Sequence, residues 1–388
     1  MKKQNFEISG SYRGIPAILW GESERRIYVA VHGRCGNKED EQIRCFAEMA
    51  VNNGFSVLSF DLPQHGQRQQ EEGYPCSAKN GCADVETVCR FASELAEEVC
   101  VFACSVGAYF TMLAYPALTL RELLFLSPVT DMNHLLQGMM TQAGITVQKL
   151  EQEKRVILSE GLQLDWNDYC YVQQHPVLYD SLCPAAILYG ARDTLCRRSD
   201  VERFAACHHV RLTIYDQGEH YFHTAEQMKV LSDWLMLCFA EDRQVRDLVE
   251  TLENKDHSKA YAAMEKLEEI SRKKNLVYPY FDRFAAMLED GNSYVRNRGI
   301  HLIAANAMWD DEGKLNWILD EYLTHLHDPR PVTARHCLNA LGEIAAAKPR
   351  LTGRIIQALE TADFSCYTDS MCSLLEKERG QLLQRIKK

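Results

Sequence analysis

Three side chains, widely separated in the chain, have the types needed for acyl transfer. Ser105 lies in "VCVFACSVGAYF", where an apolar run gives way to a helical pattern; Asp193 follows "PAAILYG", and His220 follows "VRLTIYD". A serine hydroxyl is a weak nucleophile and needs a base within hydrogen-bond reach, which an imidazole supplies. The imidazole needs a carboxylate to hold its tautomer and to stabilise the charge it gains with the proton. Each of the three residues lies just past an apolar run, where a strand would hand the chain to a loop. Ala103 and Gly107, two before and two after the serine, are small enough for a tight turn from strand to helix.

The rival residues read differently. Asp200 suits a helix N-cap, whereas Asp193 closes "GARD" directly behind a strand. His223 suits an exposed helix position, whereas His220 follows Gly218 and Glu219 in a loop. His208 and His209 beside Cys207 have no carboxylate or second cysteine at ligand spacing, so a surface turn is expected and no metal site. Cys104 precedes Ser105 on the strand and therefore points the other way, into the core. Asp61, and His32 and His65 before glycines, are expected to brace loops through hydrogen bonds.

Up to about residue 240, short runs rich in Val, Ile, Leu and Phe alternate with helical segments at 39–52, 83–97 and 108–115. The runs are "RRIYVAVHG", "GFSVLSFDLP", "EVCVFACS", "ELLFLSP", "PAAILYG" and "VRLTIYD". Continuously apolar strands alternating with helices predict an α/β fold, a mostly parallel sheet with helices on both faces. Functional residues in such sheets gather at the C-terminal ends of the strands. From residue 243 no strand-like run survives, so two domains are expected, 1–242 and 243–388. The second is all-α, and its "NSYVRNRGIHLIA" and "PRPVTARHCLNALGEIA" align with Val295 on Val332, Arg298 on Arg335 and Ile300 on Cys337. A fainter copy begins near Lys259. With the Asp328–Pro329 turn, the pattern resembles HEAT or armadillo-type helical pairs.

The net charge of −11 falls entirely in residues 1–242, because 243–388 hold 22 basic and 22 acidic residues. An acidic first domain argues against nucleic acid as its substrate, and neutrality argues against a phosphate-binding role for Arg296, Arg298 and Arg335. Fifteen scattered cysteines, many in apolar stretches and none in a C-x-x-C pair, suit reduced thiols in a cytoplasmic protein. "MKKQNFEISGSYRG" has no apolar stretch behind its lysines, so no signal peptide is expected, and no run approaches the ~20 apolar residues of a membrane span.

"VHGRCGNKED", "DLPQHGQR", "ACSVG", "GARDTL" and "GEHYFHT", in that order, resemble the α/β-hydrolase superfamily, and among its members small bacterial serine esterases and peptidase-like proteins. The resemblance covers about the first 240 residues and the order Ser, Asp, His is that fold's. Ala103 departs from the family's usual glycine. By resemblance the oxyanion donors are the backbone N–H groups of Val106 and Arg34, the residue after the His-Gly pair, and residues 131–180 form a small cap over the site. Leu135, Leu136, Met139, Met140, Trp166, Tyr169 and Tyr171 would make that cap apolar. The expectation is a serine hydrolase that cleaves a carboxylic ester, thioester or amide bearing an apolar group, without a cofactor. The alternative is a protein-binding scaffold acting through the helical repeats, with a protein partner or a second copy of the chain.

Overall fold

Five of the six apolar runs form the middle of an eight-stranded sheet because their side chains are buried on both faces, and the sixth, "VRLTIYD", forms an edge strand. In chain order the first unit holds β1 (Lys3–Ser9), β2 (Gly14–Trp20), β3 (Arg26–Val31), α1 (Glu41–Asn52), β4 (Ser56–Phe60), α2 (Ala78–Leu95), β5 (Glu98–Cys104), α3 (Val106–Ala114) and β6 (Leu123–Leu126). It continues with α4 (Met132–Gln142), α5 (Val147–Glu153), β7 (Arg155–Ser159), β8 (Leu162–Asp165), α6 (Trp166–Gln174), β9 (Ala185–Gly190), α7 (Arg198–Cys207), β10 (Arg211–Tyr215) and the first half of α8 (Ala225–Thr251), whose residues from Ala240 belong to the second unit. The sheet order is β1-β2-β4-β3-β5-β6-β9-β10. Pairing is antiparallel for β1/β2 and β2/β4 and parallel from β4 to β10. This computed structural model describes residues 1–10, 12–159, 162–177 and 183–387. The chain divides into two units, Met1–Phe239 and Ala240–Lys388.

Alternation along β5 shows how the sheet is covered. Val99, Val101 and Ala103 join one core with Val85 and Val88 of α2, Met112 of α3 and Val201 of α7. Cys100, Phe102 and Cys104 join the other with Phe46 and Ala50 of α1 and Leu231 and Trp234 of α8. The rings of Phe46 and Phe102 stack with centroids 4.1 Å apart. Each such buried side chain contributes roughly 1.5–3 kcal/mol relative to exposure.

Several boundaries differ from the sequence expectation. The β1–β2 pair was not expected, because "KQNFEIS" is an exposed edge strand with a single buried side chain, Ile8. Helix α2 begins at Ala78 rather than 83, since Ser77 caps it through Asn80 N–H and Asp168 accepts the Ala78 N–H at 2.7 Å. Helix α3 begins at Val106 rather than 108. Strand β10 is half-exposed because it is the other edge.

Residues 131–180 hold α4, α5, the antiparallel β7–β8 hairpin and α6, with 160, 161 and 178–180 outside the described residues. Met140, Ile145, Leu150 and Leu164 form a small core of their own, with Leu136, Met139, Trp166 and Tyr169 packed against it. Leu135 and Tyr171 instead pack on the main core. Asp131 at the start of α4 and Asp200 on α7 share Arg203, and His134 Nδ1 lies 2.6 Å from Asp200.

The second unit is helical: α9 (His257–Ser271), α10 (Phe281–Ala286), α11 (Ser293–Asn306), α12 (Lys314–Thr324), α13 (Pro331–Ala347), α14 (Thr352–Thr361) and α15 (Asp369–Ile386). Helices α9, α11, α13 and α15 pack in succession. Ile300 and Cys337, aligned in the repeat, are both fully buried. The aligned arginines part company: Arg298 is buried, whereas Arg335 is exposed and paired with Glu378. Buried Arg296 makes a two-point bond to Asp328 (2.7 Å from both Nε and Nη2), which ties α11 to the turn before α13. Among the described residues no helix is long and apolar enough to cross a membrane.

Two substitutions test this packing. A Cβ on Gly107 would lie 2.4 Å from the His32 carbonyl oxygen and 2.9 Å from Val31 Cγ1. Gly107→Ala is expected to destabilise the protein by roughly 1–3 kcal/mol in urea unfolding. Arg296→Ala leaves the buried Asp328 carboxylate with only His325 Nδ1 (3.1 Å) and the Arg330 N–H (2.8 Å) beside it and is expected to cost roughly 3–5 kcal/mol, read as a lowered urea midpoint followed by helical circular dichroism.

Candidate functional site

Ser105 joins β5 to α3 with φ 51° and ψ −119°, a backbone conformation that non-glycine residues rarely adopt. The strain is held by hydrogen bonds on both sides. Ser105 N–H donates to Leu126 O of β6 at 3.0 Å, while Ser105 O accepts from Ala108 N–H at 3.1 Å and Val129 N–H at 3.2 Å. Close approach makes the turn fit. A Cβ on Gly33 would lie 3.1 Å from Ser105 Cβ, and Gly107 lets α3 pack directly on the end of β3. Ala103 is fully buried, so the methyl group at that position is accommodated.

The three residues singled out by type and order meet here. Ser105 Oγ lies 2.7 Å from His220 Nε2, and His220 Nδ1 lies 2.7 Å from Asp193 Oδ2. A carboxylate only accepts, so Nδ1 carries the hydrogen and the Nε2 lone pair faces the serine hydroxyl. The other Asp193 oxygen, Oδ1, accepts from Leu195 N–H and Cys196 N–H, each at 2.8 Å. Asp193 and His220 are buried at the side chain. His223 is not part of this chain of bonds: its side chain is 59% exposed, with Nδ1 2.8 Å from Tyr221 O. Asp200 sits in the first turn of α7, bound to His134 and Arg203, and the N-cap of that helix is Arg197. Cys104 belongs to the core on the far side of the sheet, and burial pushes its thiol well above its ordinary range.

The loops around the serine are fixed by polar groups. His32 Nδ1 donates to Gly33 O at 2.7 Å and its Nε2 accepts from Leu62 N–H at 3.0 Å. His65 Nδ1 donates to Pro63 O at 2.8 Å. Asp61, fully buried, accepts from Lys38 N–H (2.9 Å), Lys38 Nζ (2.5 Å) and Gln67 N–H (3.0 Å). Val106 opens α3, so its amide is one of the first-turn N–H groups that have no carbonyl partner inside the helix. Arg34 follows Gly33 in the turn closed by Gly36 N–H to Gly33 O at 3.2 Å.

Other contributors were not singled out from the sequence. Lys38, in "VHGRCGNKED", donates to buried Asp61 through both its backbone N–H and its Nζ. Tyr189 donates its hydroxyl to Cys196 O at 2.7 Å, steadying the loop that carries Asp193. Gly190 and Gly218 touch through backbone, since a Cβ on Gly190 would meet Gly218 at 2.4 Å, and Arg192 N–H bonds Gly218 O at 2.8 Å. That contact draws the loop bearing Asp193 to the loop bearing His220. The readable signal was a glycine in each loop.

Among the described residues, two groups of three His, Cys or Asp side chains have ligand atoms within 4.8 Å of one another, Asp193/Cys196/His220 and Asp131/His134/Asp200. In the first, carboxylate and imidazole bind each other and burial pushes the Cys196 thiol up beyond ordinary titration. In the second, Arg203 already supplies a cation to both carboxylates. His208 is half-buried against the Phe204 ring.

No protein-family model matches the chain, and neither does any curated protein. Solved structures do. Est1E from Butyrivibrio proteoclasticus, in a structure with ferulic acid bound, aligns with a TM-score of 0.50 at 18% identity over 61% of this chain and 99% of its own. Mouse alpha/beta hydrolase domain-containing protein 10 aligns with a TM-score of 0.50 at 16% identity over 61% of this chain and 99% of its own. The first unit has the α/β-hydrolase fold.

Burial lowers the His32 imidazole to about 4 from 6.5, with His65, Asp61 and Lys38 facing it and Asp40 beside Gly36. Between these values the unfolded chain binds a proton that the folded chain does not, so stability rises with pH there and is lost on acidification. His65, lowered chiefly by burial, acts in the same direction. The His32 contribution amounts to about 3 kcal/mol. Urea unfolding from pH 7 to pH 4 is expected to show the loss, with a shallower slope in His32→Gln; equal slopes would refute it.

Proposed function

We propose that the chain is a serine hydrolase that cleaves a carboxylic ester through an acyl-enzyme, with Ser105, His220 and Asp193 as its triad. The observation that carries this reading is the continuous chain Ser105 Oγ, His220 Nε2, His220 Nδ1, Asp193 Oδ2, with both contacts at 2.7 Å and the serine on a strained turn. As Ser105 Oγ attacks the acyl carbon, Nε2 takes its proton and the carbonyl electrons move to oxygen. The N–H groups of Val106 and Arg34 receive that oxyanion, each worth roughly 2.7–4 kcal/mol in comparable sites. His220 then protonates the departing alkoxide, and a water, activated by the same imidazole, attacks the acyl-serine to release the acid. Asp193 holds the imidazole tautomer and balances its transient charge.

The substrate's acyl or alcohol group is expected to be apolar, since Val106 beside Ser105 and Met132, Leu135 and Leu136 of α4 are partly buried apolar side chains packed on the same core. Est1E, whose structure holds ferulic acid, is consistent with an ester bearing such a group. Thioesters and amides pass through the same tetrahedral oxyanion. Buried free thiols such as Cys89, Cys100 and Cys337 accord with a cytoplasmic protein. We read the second unit as a HEAT-like repeat, and Trp317 of α12, 79% exposed, favours protein docking as a second role for it.

A fluorophosphonate probe is expected to label the wild-type protein and not Ser105→Ala. Labelling of both, or of neither, would sink the nucleophile assignment. Asp193→Asn is expected to lower kcat on p-nitrophenyl butyrate by about 10⁴-fold, because the wrong tautomer turns a hydrogen toward the serine.

A further inference from the structure

Glu268 of α9, His301 of α11 and His336 of α13 form a chain of bonds across three successive helices. Glu268 Oε1 lies 3.0 Å from His301 Nδ1, and His301 Nε2 lies 2.9 Å from His336 Nδ1. A carboxylate only accepts, so His301 Nδ1 carries a hydrogen, and in the neutral ring Nε2 holds the lone pair. The one hydrogen between the two rings then belongs to His336 Nδ1. The lone pair of His336 is left on Nε2, and among the described residues no protein group bonds that nitrogen.

Packing alone does not call for this chain. The alignment that sets Ile300 on Cys337 sets His301 on Leu338, and one step earlier on Met264, both buried apolar residues. An imidazole therefore stands where the neighbouring helices carry core side chains. Its side chain is 26% exposed and that of Glu268 13%, so small solutes reach the rings from one side. Asn297 precedes His301 by one turn, on the same face of α11. Its Oδ1 is buried and has no hydrogen-bond partner, a costly state for an amide oxygen.

We propose that His301 Nε2 and His336 Nδ1 are the protein ligands of a Zn²⁺ site that joins α11 to α13, with Glu268 orienting the His301 ring. Imidazole suits Zn²⁺, Ni²⁺ and Cu²⁺, whereas Mg²⁺ and Ca²⁺ take oxygen ligands. To admit the ion, His336 moves its hydrogen from Nδ1 to Nε2, where no protein group stands in the way. Both lone pairs then face the gap, and no net proton leaves the pair. Nitrogens at tetrahedral angles on Zn–N bonds of about 2.0–2.1 Å stand about 3.3 Å apart, so the rings part by only a few tenths of an ångström. Water fills the remaining positions, and a metal-bound water supplies the donor that Asn297 Oδ1 lacks. The order carboxylate, histidine, metal is the one in which an outer carboxylate fixes a ligand's tautomer and raises its basicity. The site belongs to the second unit and does not depend on the serine-hydrolase reading.

The test uses the full chain, stripped of metal with EDTA, and the metal ions alone. Calorimetric titration with Zn²⁺ compares the wild type with His301→Ala, His336→Ala and Glu268→Gln. Exposed thiols such as Cys35, Cys207 and Cys366 also meet Zn²⁺, but all the variants share them. Co²⁺ separates the two kinds of site, because thiolate ligation adds an intense near-ultraviolet band that imidazole ligation lacks. We expect the wild type to bind one more Zn²⁺ per chain than either alanine variant. Its visible Co²⁺ bands without thiolate character should vanish in both, and Glu268→Gln should bind Zn²⁺ about 10–100-fold more weakly. Zn²⁺ and Ni²⁺ should raise the melting temperature of the wild type, and Mg²⁺ and Ca²⁺ should not. Circular dichroism reports folding, and if an alanine variant does not fold, His301→Gln and His336→Gln, which keep a hydrogen-bonding group, take its place. Equal Zn²⁺ stoichiometry and Co²⁺ spectra in the wild type and the histidine variants, or equal stabilisation by Mg²⁺ and Zn²⁺, would overturn the site. Unchanged affinity in Glu268→Gln would overturn the orienting role of the carboxylate.

Discussion

Everything near the candidate site depends on how closely β3 and β5 can be brought together at their C-terminal ends. Ser105 turns the chain with φ 51°, a conformation that costs of order 1–3 kcal/mol and persists only where the surroundings over-determine it. Here they do so in two ways. Neighbouring strand ends accept and donate backbone hydrogen bonds across the turn, from Ser105 N–H to Leu126 and from Ser127 N–H to Leu188. The absence of side chains at Gly33 and Gly107 lets the next strand and the following helix close on the serine. A methyl group at Gly107 would push apart the elements whose contact sets the hydroxyl in place, and one at Gly33 would have to displace Ser105 Cβ by a few tenths of an ångström.

The loops beyond these strands have no ladder of their own, and buried charges hold them. Asp61 sits at the centre of one cluster, receiving Lys38 and Gln67. Arg68 anchors a second by donating to Glu71 at 2.8 Å, Asp84 at 2.5 Å and the Asp61 carbonyl at 3.1 Å. Moving such charges out of water is expensive, and a pair of this kind adds little net stability over well-packed apolar groups. What it does supply is direction. A lysine and an arginine bonded to particular oxygens leave the loops after β3 and β4 few other arrangements. His32 spans the same two loops, with Gly33 on one side and Leu62 on the other.

Much of this was legible in the sequence because parallel sheets bury their strands on both faces. A run such as "VCVFAC" is then apolar throughout, and the residues that follow each run are thrown to one edge. Ser105, Asp193 and His220 were readable on that ground. Strand β1 was not: its side chains are mostly solvent-facing, so "KQNFEIS" carries no burial signal. The N-terminus of α2 was obscured for a related reason, since Asp168, ninety positions away, accepts its first N–H. In the second unit, Ile300 and Cys337, which the sequence aligns with each other, are both fully buried. The same alignment puts Arg298 on Arg335, yet the first is buried on α11 and the second is salt-bridged at the surface of α13.

The histidines show most clearly what sequence position leaves open. His32 and His220 are both buried, both follow a strand, and both have two bonded nitrogens. They differ in partner. The nitrogens of His32 face a carbonyl oxygen and an amide hydrogen, groups that neither give up nor take a proton. Its ring is therefore confined to one neutral tautomer. The nitrogens of His220 face a hydroxyl, which can release a proton, and a carboxylate, which stabilises the cation that results. One imidazole is thereby bonded only to backbone, and the other stands between a hydroxyl and a carboxylate. That division is set by chain segments brought together only in the fold: Leu62 for His32, and Ser105 with Asp193 for His220.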